Sequence, residues 1–342
     1  MPRELWDQLH ELIGHCQTKW REQMTMAPSH GADGRSSPPQ GPTTSERKAT
    51  DTQPTQVGEE NEDEDEEEGE EEGGKRFKLD LQPVERIRRP SMERFLRDYM
   101  QKGVPVIITG GMDGWPAMNE RAWANLDYLK SIAGPRTVPV EVGTHYLHPE
   151  WSQKLMTFAQ FIDNHVTNSQ VPATNRGYLA QARPGKDRGG PRQRLSDEHC
   201  RLRIELFELV PELQRDFGLP DYCGLGQGED IKIQAWFGPK GTVSPLHEDP
   251  YHNLLAQVVG RKRIRLYSPH NTPFLYPHTG KTLKNTSQID VERPDLERFP
   301  LFAQAQGEEL VLEAGEMLYL PPHYWHFVRS LSVSFSISFW FD

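Results

Sequence analysis

The tract LSVSFSISFW at 331–340 alternates two chemistries with a period of two: Leu331, Val333, Phe335, Ile337 and Phe339 against Ser332, Ser334, Ser336, Ser338 and Trp340. Only an extended strand separates such residues onto opposite faces, so the tract excludes a helix and demands a sheet with one packed face. Small hydroxyls on the other face make room for a ligand inside a barrel; an outward edge strand is the alternative. Three more tracts repeat the pattern, IKIQAWF at 231–237, RKRIRLYS at 261–268 and EELVLEAGEMLYL at 308–320. Short strands separated by turns predict a closed double-sheet barrel or jelly roll in the second half.

The first half is mixed. PSMERFLRDYMQKG from Pro90 has a helix start, helical spacing of Met92, Phe95, Leu96 and Tyr99, and a stopping glycine. PVIITGG at 105–111 reads as a strand and turn, Trp123 to Gly134 as a helix, TVPVEVG as extended, and Phe158 to Val166 as an amphipathic helix. Ahead of these, residues 1–24 hold one short helix with Leu5, Leu9 and Leu12 on a side. Residues 25–76 are a tether, too poor in apolar residues to offset the entropy of ordering. The folded domain is expected over 77–342, interrupted at 182–203 by an exposed basic loop with six arginines and three glycines.

Charge follows the same division. The net charge of −11 is local, because Glu59 to Glu72 holds twelve carboxylates and no base, leaving the remainder within one charge of neutral. A near-neutral body argues against a broad nucleic-acid surface, and an acidic run suits basic partners. Cys16, Cys200 and Cys223 form no CxxC pair and no disulfide framework. With no signal-like or membrane-spanning apolar run, the expected location is the nucleus, with the cytoplasm as a second site.

The chemistry concentrates in PLHEDP, where His247 and Asp249 stand two apart and face one side of an extended segment. PPHYWHFVRS offers the third ligand. His326, just before a returning strand, is favoured over His323, whose three-residue spacing from it makes a compact zinc pair the rival. Two imidazoles and a carboxylate occupy one face of an octahedral ferrous ion and leave three positions for a chelating cosubstrate and dioxygen. In RKRIRLY, Lys262 shares a face with Ile264 and Leu266. An ammonium on an apolar face either snorkels outward or meets a carboxylate, and the far carboxylate of 2-oxoglutarate fits. Ser244 and Asn253 stand close enough to donate to cosubstrate oxygens or to be ordinary turn residues.

These residues together resemble the jumonji-C family of iron- and 2-oxoglutarate-dependent oxygenases. The likeness runs from about Pro90 to Asp342 through PVIITGGMDGWP, RTVPVEVG, WSQKLMT, AWFGPKGTVSPLHEDP, VVGRKRIRLYSP, LYPH and YWHFVRSLSVSFSISFW. It implies a mainly β, cupin-like jelly roll, the double-stranded β-helix, with flanking helices. It also implies Fe(II) held by His247, Asp249 and His326, and 2-oxoglutarate held by Lys262 with Tyr178, Ser244, Asn253 and Trp340. Trp236 would line the site, and Glu141 and Tyr146 would lie toward the substrate. Glu141 suits a guanidinium, which pairs bidentately with a carboxylate.

The implied reaction consumes dioxygen and yields succinate and CO2, with hydroxylation of arginine C3 favoured and lysine N-methyl demethylation as the alternative. Partners would be basic peptides or proteins, histones among them. A histone-tail endopeptidase is a third class, but HExxH is absent. The Arg- and Gly-rich stretch after GYLAQ departs from the family's compact tract, so a catalytically impaired interaction module is a fourth.

Overall fold

The computed structural model describes residues 81–180, 206–227, 231–280 and 283–342. The expected N-terminal helix, the acidic tether, the basic stretch at 182–203, Cys16 and Cys200 lie outside the described residues. Among the described residues, no helix is long and apolar enough to cross a membrane.

The second half folds as the alternation requires. Eight strands follow in order: β7 (Lys232–Gly238), β8 (Val243–His247), β9 (His252–Val259), β10 (Lys262–Tyr267), β11 (Gly307–Leu312), β12 (Glu316–Leu320), β13 (Trp325–Ser330) and β14 (Ser334–Phe341). They divide four and four between two sheets, ordered β11-β10-β13-β8 and β12-β9-β14-β7, which is the winding of a double-stranded β-helix. Earlier strands extend both. β1 (Leu81–Pro83) pairs beside β11, while β2 (Arg86–Arg88) and β3 (Val106–Thr109) continue the larger sheet beyond β12. On its other side β6 (Gly177–Ala180), β4 (Thr137–Val142) and β5 (Ser152–Thr157) extend it beyond β7.

Both faces of β14 are interior, each with its own chemistry. Phe335, Ile337 and Phe339 pack outward from the barrel into a core shared with the helical shell, with Trp123 4.4 Å from Phe335 and Phe237 stacked on it at 4.7 Å. Ser334, Ser336 and Ser338 are buried on the barrel side, which disposes of the edge-strand alternative. Inside the barrel Leu255, Ile264, Leu266, Leu318 and Val328 form a second core. A third lies outside β10 and β13, where Tyr267, Trp325 and Phe327 meet Leu275, Ile289 and Phe302. Glu292, from the same excursion between β10 and β11, pairs with both Arg263 and Arg329, which are cross-strand neighbours.

Two sequence boundaries move. The tract 308–320 is two strands in different sheets, parted at Gly315, whose φ of +89° favours glycine. The final strand begins at Ser334 rather than 331, because residues 331–333 carry the chain from one sheet to the other. Ser332 there accepts the Arg261 N–H at 3.0 Å, and Gly260 admits the Val333 carbonyl so closely that a Cβ would sit 1.9 Å from it.

The helical shell is short and capped. Ser91 caps α1 (Met92–Phe95), Asn125 caps α2 (Leu126–Ala133), and Thr157 with Gln160 forms a capping box on α3 (Phe158–Phe161). The first and third continue as wider π turns over Leu96–Met100 and Ile162–Val166. Asp216, fully buried, ties α2 to the segment before β7 by accepting from Arg121 Nη1, Trp123 Nε1 and Tyr128 Oη at 3.1, 3.0 and 2.7 Å. Asp216→Ala strands these donors and is expected to cost about 3 kcal/mol. Urea unfolding followed by tryptophan fluorescence should show the lower midpoint.

Candidate metal centre and cosubstrate cavity

His247 ends β8, His326 lies second in β13, and the antiparallel register sets them directly opposite each other with ring centroids 4.2 Å apart. Each ring is oriented by a backbone carbonyl: Pro245 accepts from His247 Nδ1 at 2.7 Å, and Tyr324 accepts from His326 Nδ1 at 3.0 Å. A carbonyl only accepts, so Nδ1 carries a proton in each ring and Nε2 is the atom turned toward the cluster. Asp249 Oδ2 faces both, 4.0 Å from His247 Nε2 and 3.7 Å from His326 Nε2. One donor atom from each of the three lies within 4.8 Å of the others. Burial, and then the neighbouring His247, drive the His326 pKa down to about 4, so its imidazole stays neutral across the ordinary pH range.

Asp249 is beyond the end of β8, and neighbouring segments fix its backbone. The Glu248 N–H donates to the Asn285 carbonyl at 2.9 Å, Asn285 Nδ2 returns a bond to the Glu248 carbonyl, and the His323 N–H donates to the Asp249 carbonyl at 2.7 Å. His323 itself is exposed, with φ +61° and its ring 3.0 Å from the Glu248 carboxylate, turned away from the cluster. The rival pairing of His323 with His326 is therefore not formed.

A cavity opens beside the triad, walled by His247, Asp249 and His326 together with Tyr178, Trp236, Ser244, Asn253, Lys262, Ser338 and Trp340. Lys262 is 2% exposed on the inner face of β10, and Nζ donates to Ser336 Oγ at 2.5 Å. No carboxylate among the described residues pairs with it, and burial alone pulls its pKa down to about 7. The snorkelling alternative is thereby excluded. Tyr178 on β6 and Ser244 on β8 wall the same cavity; burial, then Glu141, raise the phenol above its ordinary value. Trp236 Nε1 donates to Ser338 Oγ at 2.9 Å. Asn253 and Trp340 are cross-strand neighbours, and Asn253 Oδ1 and Trp340 Nε1 are both buried without a partner.

Glu141 and Tyr146 are not among the cavity walls. Glu141 lies opposite Tyr178 in the β4–β6 register and accepts from Trp151 Nε1 at 3.2 Å, and Tyr146 sits in the loop after β4. Sequence reasoning missed the apolar walls Leu255, Leu320 and Val328. A two-residue step along a strand from Asn253 or His326 reaches the first and the last. It also missed Tyr251, stacked on Trp340 at 6.1 Å, and Lys232, with Nζ 3.8 Å over the Tyr251 ring.

The donor set fits a ferrous ion: two imidazoles and a carboxylate converge on one another. The cavity fits an anionic chelator, because a buried amine and an indole N–H without a partner, Trp340 Nε1, belong to its walls. A jelly roll carrying a two-histidine, one-carboxylate cluster beside such a cavity defines a metal-centred member of the cupin-like class. Comparison with known proteins agrees: residues 92–342 match the family described as a cupin-like domain. Over 261 residues the chain is 50% identical to the lysine-specific demethylase 8 of Danio rerio, covering 76% of this chain and 58% of that protein. It is 45% identical over 264 residues to the lysine-specific demethylase JMJ30 of Arabidopsis thaliana, covering 77% and 56%. With the Jumonji C domain-containing protein 5 of Drosophila melanogaster it shares 40% over 257 residues, covering 74% and 58%. The chain belongs to the cupin-like family, in its jumonji-C branch, and spans somewhat over half the length of these relatives.

Lys262 gives the unliganded protein a pH signature. An unfolded lysine keeps its proton up to its ordinary pKa of 10.5, whereas the folded one releases it near 7. The destabilisation is therefore complete below about pH 7 and fades as pH rises toward 10. Lys262→Met should remove this dependence and stabilise the unliganded protein at pH 7 by on the order of 2 kcal/mol. Thermal melts from pH 6 to 10 check both.

Proposed function

We propose that the chain is an Fe(II)- and 2-oxoglutarate-dependent oxygenase that hydroxylates protein arginine at C3. The observation that carries the reading is one cavity holding both the His247, Asp249 and His326 donors and a buried lysine with no carboxylate of its own. When bound, the metal would supply the redox chemistry that couples oxidative decarboxylation of the cosubstrate by dioxygen, one oxygen atom going to succinate as CO2 leaves, with insertion of the other into a C–H bond.

The chain's own residues do the rest. His247, Asp249 and His326 would hold the ion on one side and leave its opposite side open. Lys262, steadied by Ser336, pairs with the far carboxylate of the cosubstrate, regaining the charge stabilisation that burial removes. Tyr178 and Ser244 on one side and Asn253 and Trp340 on the other offer polar atoms to its oxygens. Leu255, Leu320 and Val328 exclude water around the carbon chain.

Glu141 supports arginine as the target, since a carboxylate 8% exposed beside the cavity suits a guanidinium better than a methylated ammonium. Demethylation is the second reading, because two of the relatives carry lysine-specific demethylase in their names. Basic proteins, histones among them, are the proposed partners, and the nucleus the proposed location.

Anaerobic addition of Fe(II) and 2-oxoglutarate should produce a metal-to-ligand absorption band that His247→Ala abolishes and Lys262→Met weakens by at least tenfold in cosubstrate affinity. An unchanged band in His247→Ala would sink the assignment. Intact-mass analysis of arginine- and methyl-lysine-containing peptides then separates the outcomes. Gain of one oxygen supports hydroxylation, loss of a methyl group indicates demethylation, and fragments indicate cleavage.

A further inference from the structure

Trp340 walls the cavity, and its indole N–H is buried without a partner. It is also the only residue of β14 that is not buried, next to last in a strand whose other members pack into a core or face the barrel. An indole turns about two side-chain bonds, and close packing is what holds a ring to one rotamer. The cavity side of Trp340 offers none of that packing.

Tyr251 supplies it. The two rings stack with centroids 6.1 Å apart and planes 21° from parallel. Lys232, the cross-strand partner of Trp340 on β7, sets its Nζ 3.8 Å from the centroid of the same Tyr251 ring. Offset stacking and a cation over a ring face are both attractive, so the three side chains hold one another. Tyr251 itself is not a cavity wall, and its influence on a molecule inside passes through Trp340.

The backbone places Tyr251 where that influence matters. Asp249, a metal donor, stands two residues before it, with its carbonyl accepting from the His323 N–H at 2.7 Å. Pro250 between them has its φ fixed by its own ring. Asn253, two residues after Tyr251, is the partner of Trp340 across the other edge of β14. The five residues 249–253 thus carry one metal donor, one cavity wall and the ring that stacks on another wall.

We propose that Tyr251 is a positioning residue: its ring, held by the Lys232 cation, fixes the Trp340 indole so that Nε1 stays available to an oxygen of the anion in the cavity, and so ties that wall to the metal-donor segment. The proposal rests on the oxygenase reading above for the identity of the anion, 2-oxoglutarate.

Two readouts on the full chain test it, neither of them turnover. Labelling with fluorotryptophan gives each tryptophan its own fluorine NMR line, and Trp340→Phe identifies the line of residue 340. Without any ligand that line should be single and sharp in the unaltered chain and in Tyr251→Phe, and should broaden or split in Tyr251→Leu while the other lines stay. Calorimetry with Mn(II) in place of iron then reads 2-oxoglutarate affinity. Tyr251→Leu should weaken it about fivefold and Tyr251→Phe by less than about twofold. In the Trp340→Phe background, Tyr251→Leu should bring no further loss. An unmoved Trp340 line in Tyr251→Leu, or losses that add in the double variant, overturns the role of Tyr251. If the unaltered chain takes up no 2-oxoglutarate, the oxygenase reading falls and the Trp340 line alone decides. Should Tyr251→Leu fail to fold by circular dichroism, Lys232→Met, which removes the cation from the Tyr251 ring, decides by the same line: broadening supports the proposal and an unmoved line overturns it.

Discussion

A lysine amine sealed inside an apolar barrel is the constraint on which the rest of the site depends. Lys262 is fully enclosed, and its amine donates to a hydroxyl, Ser336 Oγ. Burial therefore costs the protein stability in the unliganded state and gains it back when an anion enters. The barrel is arranged around that exchange. Lys262 pairs in register with Ser330 on β13, four residues along the same strand from His326, and the two share the inner face. The amine and the metal donors thus sit a few residues apart on adjoining strands, spaced for a short, doubly anionic molecule that touches both.

Strand alternation serves two interiors at once. On β14 the aromatic and branched residues fill the core beneath the helical shell, while the serines face the barrel and leave space. Neither face could be exchanged without losing packing on one side or the cavity on the other, so register is strongly specified. The His247–His326 pairing across β8 and β13 has the same character, since a one-residue slip would turn one imidazole out of the cavity. The carbonyls of Pro245 and Tyr324 then set the tautomers, and the segments holding Glu248 and Asp249 set the carboxylate.

Much of this was legible from local pattern. The strands at 232–238, 262–267 and 334–341, the inward lysine and the HxD pair all follow from period two and from the cost of burying charge. The choice between His323 and His326 did not. Both lie on one short tract, and only the positive φ at His323 and its contact with Glu248 turn it outward. The division of 308–320 into strands of different sheets was equally hidden, because both halves alternate and the turn at Gly315 has meaning only when the sheets are in place.

The sequence by itself determined which residues share a face, because that depends on neighbours two positions apart along one chain. It also determined the chemistry available: two histidines, a carboxylate and a lysine among apolar strands. Tertiary structure alone decided which faces meet. It brought Tyr178 on β6 and Ser244 on β8 into one cavity wall, gathered Arg121, Trp123 and Tyr128 around Asp216, placed Glu292 between Arg263 and Arg329, and carried Arg176 to the Gly241 carbonyl. Those contacts join residues from tens to about a hundred positions apart, and no local period encodes them. They exist because closing two sheets into a barrel sets which surfaces must be satisfied together.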